Sequence, residues 1–233
     1  MLVAATLGAL LLATPVVDAA ERPSTPKVVF DTVFGPTVRL PNFLFGWRYA
    51  VDPYVETVHG PGAGGGGAVF RSSRPAALGA TPTRPELLHR GFLNLARPSD
   101  PVALAAGYQA LRARGATFVL DLREEGDASE ARAAARAAGL GYANVKLKDN
   151  AWHVPQRALG AAVDVIRERV AAGENVVVHC QRGRGRTGLV VSAYQATRHP
   201  EWTGADAVRY ARGGGLYLLG QERALRRFVA RSR

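Results

Sequence analysis

The stretch Val176 to Gly188, VVVHCQRGRGRTG, constrains this chain more than any other. Three valines and His179 read as a buried strand that delivers Cys180 to the end of a sheet. A loop of glycines and arginines follows, and Thr187 opens an apolar helix. Gly183 and Gly185 permit tight or left-handed turns, so the loop can aim its backbone N–H groups inward. The helix points the positive end of its dipole at the same spot. A thiol held there is poised as a thiolate, and an anion held there meets amides and Arg186. Such a loop binds a phosphate-like group and sets a nucleophile against it.

The elements around this loop alternate. Ala68 to Arg71 reads as a short strand, and residues 76 to 98 are ambiguous. Ser99-Asp100-Pro101 supplies a cap and an N1 proline for a helix ending near Arg114, where Gly115 stops it. Ala116 to Arg123 is a buried strand, Ser129 to Ala138 a helix closed by Gly139, and Tyr142 to Leu147 another strand. Gln156 to Ala172 carries Leu159, Val163, Ile166 and Val170 on one stripe, which makes it an amphipathic helix. Helices are expected at Thr187 to Arg198, about Thr203 to Ala211 and about Gln221 to Ala230. Strands alternating with helices predict an α/β domain with a central, mainly parallel sheet flanked by helices.

Cys180, five intervening residues, then Arg186, Thr187 and Gly188 form the pattern HCxxGxxRTG. Here the chain resembles the cysteine-dependent protein phosphatases, in particular the compact dual-specificity branch, over roughly Val69 to Phe228. The chemistry suits a phosphomonoester, which needs an in-line nucleophile, donors for the equatorial oxygens and a proton for the leaving oxygen. Cys180 is the expected nucleophile. Arg186 can grip two oxygens through its planar fork. Gln181, Arg182, Gly183, Arg184 and Gly185 complete the phosphate-binding loop. The resemblance implies that Thr187 donates to the departing thiolate, and His179 is expected to order the loop rather than transfer protons. It also places a proton donor on the loop after the preceding strand, about thirty residues upstream. Asp149, 31 positions before Cys180, fits that place, with a solvated loop aspartate as the bland alternative. Asp127 belongs to a different loop. Asp121, Arg123 and Glu124 read as a structural network beside the site.

Segments Val69 to Pro75 and Val119 to Glu125 resemble the openings of small bacterial and plant-fungal atypical dual-specificity phosphatases. The expected activity is therefore hydrolysis of a phosphomonoester through a cysteinyl-phosphate, with no metal or cofactor and with a phosphorylated protein as substrate. Arg184 matches a basic position in phosphoinositide phosphatases, and Asp149 to Pro155 is similar to secreted cysteine phytases. A phosphoinositide or inositol-polyphosphate phosphatase is thus the alternative. A rhodanese-like sulfurtransferase also places a cysteine between strand and helix, but the gap to Arg186 and the following RTG favour phosphate. A non-catalytic phosphate-binding relative would not need Cys180, Arg186 and Asp149 together. No Lys follows the glycines as a Walker-type nucleotide loop requires.

The 233 residues suffice for one ordinary domain with a surplus, which lies in front. Leu2 to Val17 is apolar and uncharged, and small residues Ala19 and Ala20 follow. Residues 1–19 therefore read as a secretory leader, although no Lys or Arg precedes the apolar run; the alternatives are an uncleaved anchor or a misassigned start. At about sixteen residues the run is short for a span, which takes ~20, so no stable membrane span is expected after cleavage. The expected location is secreted or periplasmic, with a cytoplasmic or N-terminally anchored protein as alternatives. Residues 20–67 read as an irregular arm, broken by prolines and ending in Gly-rich 62–67, with aromatic Asn42 to Trp47 available to pack on the domain. Residues 68–233 form the catalytic domain. Net charge is +11, and loss of Asp18, the leader's one charged residue, makes it +12. Anionic partners are favoured, but the arginines are dispersed and no nucleic-acid-binding motif is present. The single cysteine excludes an internal disulfide. Oligomeric state is not readable from the chain.

Overall fold

The computed structural model describes residues 55–61, 66–79, 101–125, 128–148, 153–216 and 219–232. Five strands form one sheet: β1 (Val55–His59), β2 (Val69–Ser72), β3 (Phe118–Asp121), β4 (Gly141–Asn144) and β5 (Val176–His179), in spatial order β1-β2-β5-β3-β4. The last four are parallel, and β1 is antiparallel to β2 at the edge. The helices are α1 (Pro75–Gly79), α2 (Pro101–Ala113), α3 (Ala128–Ala137), α4 (Gln156–Ala171), α5 (Gly185–Arg198), α6 (Gly204–Gly213) and α7 (Leu219–Arg231).

The expected α/β architecture is observed, with one correction. Val55–His59 lies in the stretch read as an irregular arm, yet it extends the sheet. Its partners Ser72, Arg71 and Phe70 supply the ladder that its own weak alternation could not announce. Arg71 clasps it further, pairing with Glu56 and donating from Nη1 to the Gly214 carbonyl at 2.9 Å.

β3 and β5 are buried on both faces, as central parallel strands must be. Alternate side chains serve opposite layers. Val177 and Val119 pack under Leu104, Tyr108 and Leu111 of α2. Val176, Val178, Phe118 and Leu120 pack under α4, α5, α6 and α7, against residues such as Leu159, Ile166, Leu189 and Leu225. Each such fully buried aliphatic contributes roughly 1.5–3 kcal/mol relative to exposure. The consequence for function is position. β5 sits between β2 and β3, so its C-terminal end opens at the middle of the sheet, where α/β sheets bind ligands.

Candidate active site

Cys180 is the first residue beyond β5 and is only 3% exposed. The loop from Cys180 to Arg184 then turns into α5, which begins at Gly185, two residues earlier than expected. Gly183 adopts φ 69°, the left-handed conformation that only glycine takes at no steric cost. Gly185 is in tight quarters for a different reason. It lies within the helix, and a Cβ there would stand 3.3 Å from Nε2 and 3.4 Å from Oε1 of Gln221. Arg186, Thr187 and Gly188 occupy the first turn of α5, and the Gly188 N–H donates to the Arg184 carbonyl at 2.7 Å. Arg182 and Arg184 are half-buried, the latter with its side chain against Gly215. Gln181 accepts from the Arg74 N–H through its carbonyl, tying the loop after β2 to this one.

Arg186 is 2% exposed. Its fork, expected to face phosphate, meets a carboxylate: Nη1 donates to Oε2 and Nη2 to Oε1 of Glu125, both at 2.7 Å. Nη1 also reaches the Leu147 carbonyl at 3.3 Å. Burial alone would push the Glu125 carboxyl up, but Arg186 outweighs it and holds it below the usual glutamate range. Glu125 thus fixes the guanidinium plane and supplies a counter-charge. A phosphate dianion entering the loop must share the guanidinium with this carboxylate or displace it.

His179 is wholly buried, and burial pushes its pKa below the ordinary histidine value. Its Nδ1 lies 3.2 Å from the Cys180 carbonyl, an acceptor only, so the proton is assigned to Nδ1. A neutral imidazole tied to the backbone of the nucleophile orders the loop. Behind it, Arg123 donates from Nε and Nη2 to the Asp121 carboxylate at 3.0 and 2.7 Å, and Tyr142 donates to the same group at 3.0 Å. Burial opposes the Asp121 charge, and its partners overcome that and hold the carboxyl below its ordinary value. Asp121 and Arg123 therefore form the expected network. Glu124 is exposed and stands outside it.

Two residues that sequence reasoning passed over reach the site. Glu125 was hidden beside Glu124, which is chemically identical. Gln221, in the first turn of α7, is fully buried, and both its amide atoms lack a hydrogen-bond partner among the described residues. A glutamine in an amphipathic helix carries no local signal that it faces a loop 36 positions away. Thr187 is buried in place. Asp149 lies outside the described residues. A cavity of about 910 Å³, bordered by Val163, Thr197, Trp202 and Phe228, lies at the end of α5 remote from Arg186 and has no part in this chemistry.

Residues 94–199 match the family model described as "Polymorphic toxin system, DSP-PTPase phosphatase". Among solved structures, the chain is similar to kinase associated phosphatase bearing a serine at its catalytic-site cysteine, with 13% identity and TM-score 0.53 over 70% of this chain and 86% of that one. It is also similar to Tk-PTP in the active form (22% identity, TM-score 0.47, 55% and 86% covered). A third is the core catalytic domain of the PP-IP phosphatase from S. cerevisiae in complex with citrate (17% identity, TM-score 0.44, 67% and 78% covered). At 13% identity the first of these likenesses speaks to the fold.

Proposed function

We propose that the chain carries a cysteine-dependent phosphatase domain of the dual-specificity type and that it dephosphorylates phosphotyrosine and phosphoserine or phosphothreonine on proteins. The observation that carries the mechanism is the juxtaposition of Cys180 at the end of β5 with Arg186 in the first turn of α5, braced by Glu125. The Cys180 thiolate attacks phosphorus in line as the ester P–O bond breaks. Loop amides and Arg186 take the charge on the equatorial oxygens. Asp149 gives its proton to the leaving oxygen, then accepts one from the water that cleaves the S–P bond and releases phosphate. Thr187 donates to the departing thiolate.

Asp149 enters this scheme by its spacing. Leu147, two residues earlier, already accepts a hydrogen bond from Arg186. Asp149→Ala is expected to lower kcat about a hundredfold or more for alkyl phosphates and far less for aryl phosphates, whose leaving groups need little protonation. Steady-state kinetics on a leaving-group series checks this, and equal losses across the series would remove Asp149 from the acid's place.

Arg182 and Arg184 at the rim support a second reading, a substrate with several phosphates, as in an inositol polyphosphate or phosphoinositide. A phosphate-release panel of phosphotyrosine and phosphoserine peptides, phosphoinositides and inositol hexakisphosphate separates the two. Peptides are expected to be turned over with the highest kcat/KM, and a preference for the inositol compounds would replace the protein reading. Export from the cell is part of the proposal. It is supported by the apolar leader at Leu2 to Val17 and by the toxin-system description of the matching family. Among the described residues no helix is long and apolar enough to cross a membrane.

A further inference from the structure

Arg71 stands on β2 two residues after Val69, so the two share the face of the sheet that Val69 turns to the core beside α4 to α7. An arginine in that position needs partners for its donors. They come from two separate parts of the chain. Nε donates to Oε2 of Glu56 on β1 at 2.7 Å, and Nη1 donates to the Gly214 carbonyl, 143 positions away, at 2.9 Å. The first contact holds strand to strand, but the second reaches out of the sheet. Gly214 leaves room for it, since a Cβ there would stand 2.1 Å from Nη1. The backbone at Gly214 has φ −80° and ψ 2°, the ordinary third position of a type I turn, which does not require glycine. A side chain at Gly214 would therefore disturb the arginine rather than the turn.

What Arg71 grips lies against the phosphate-binding loop. Gly214 begins the connection from α6 to α7, and the residues after it border the loop. Gly215, at φ 92°, lies beside the Arg184 side chain, and a Cβ on it would meet Cδ and Nη1 at 3.5 Å. Leu216 is buried beside Gly188, and Gln221 beside Gly185. The connection thus walls the loop at residues 184, 185 and 188. Arg184 is half-buried. A long side chain loses rotamer freedom when it engages an anion, unless a surface has already fixed its stem. Gly215 supplies that surface, next to the residue that Arg71 holds.

We propose that Arg71 is a positioning residue for the phosphate-binding loop: through the Gly214 carbonyl it holds the α6–α7 connection against Arg184 and so presets that arginine for the phosphoryl group. The inference rests on the phosphatase reading, which turns Arg184 to the phosphate.

Calorimetric binding of tungstate and p-nitrophenyl phosphate kinetics on the full chain test it, in a cycle of R71Q, R184Q and the double variant. R71Q is expected to weaken tungstate binding and raise KM by about tenfold, the low end of what a hydrogen bond to a charged group contributes, with kcat nearly unchanged. In the R184Q background the same substitution is expected to change neither, while it lowers Tm in both backgrounds. A residue that only held the fold would show no such dependence on Arg184. Gly214→Ala keeps every charge and displaces only the flexible end of Arg71. It is expected to reproduce the R71Q loss in the wild type and to add nothing to R71Q. Equal losses from R71Q with and without Arg184 overturn the inference, because they report missing charge rather than position. So does a Gly214→Ala variant with wild-type tungstate affinity, an outcome readable even where R71Q fails to fold. If the cycle is non-additive for tungstate but the wild type hydrolyses no phosphomonoester, the positioning role stands and the phosphatase reading falls.

Discussion

Replacing Cys180 by Ser is expected to reduce turnover by about 10⁴-fold or more while leaving phosphate-analogue binding intact. The substitution changes one buried atom for a slightly smaller one at the end of β5, where the side chain is 3% exposed. The cradle itself depends on Gly183, on the first turn of α5 and on Arg186, none of which the substitution touches. What disappears is the nucleophile, because a serine hydroxyl is not ionised at neutral pH and the described residues place no general base to activate it. The neighbouring His179 is a poor base, since burial lowers its pKa and so opposes the imidazolium that taking the serine proton would create. The measurement is p-nitrophenyl phosphate hydrolysis beside calorimetric titration with tungstate. Hydrolysis at the wild-type rate would overturn the cysteinyl-phosphate mechanism, and loss of tungstate binding would show that the loop had not survived. As the chain's one cysteine, Cys180 also makes the test clean: no other thiol can substitute for it.

Arg186→Lys is expected to lower kcat/KM by about a hundred- to a thousandfold, the usual cost of removing a preorganised transition-state donor. The charge is retained, so any loss reports geometry. Lysine offers a point charge with mobile donors, and it cannot span both Glu125 oxygens and still present a planar edge to phosphate. The pairing at 2.7 Å on both nitrogens would become a single contact, and Glu125 would be left partly uncompensated beside the nucleophile. Its carboxylate would then repel the phosphate that Arg186 formerly attracted. The loss is expected to appear in both kcat and KM, whereas a purely structural role would appear in thermal stability with kinetics per folded molecule unchanged. Thermal unfolding and steady-state kinetics on the same preparation separate the two outcomes. A Lys variant with wild-type kcat/KM would take Arg186 out of the reaction.

Much of this was legible in the chain. The helix expected from Pro101 ends at Ala113, beside Gly115 at φ 86°, and the helix expected from Gln156 ends at Ala171, before Gly173 at φ 79°. These are local signals, since caps, breakers and side-chain periods act over a few residues and survive any change of neighbours. The same holds for the strand, loop and helix around Cys180, where thiol, glycines and arginine lie within ten positions. Other features carried no such signal. β1 is a strand because β2 offers it an open edge, a property of β2's position in the sheet.

The local chain therefore settled which chemistry is present: a cysteine, a phosphate-sized loop and a helix aimed at it. Tertiary packing decided how that chemistry is held. Glu125 rather than Glu124 meets Arg186 from 61 residues away, because the backbone after β3 turns one carboxylate inward and leaves its neighbour in water. Gln221 arrives at Gly185 because α7 packs across the start of α5. Side chains distant in sequence meet only through the fold that buries the apolar faces between them, and no local pattern records which of two equivalent residues will face the site.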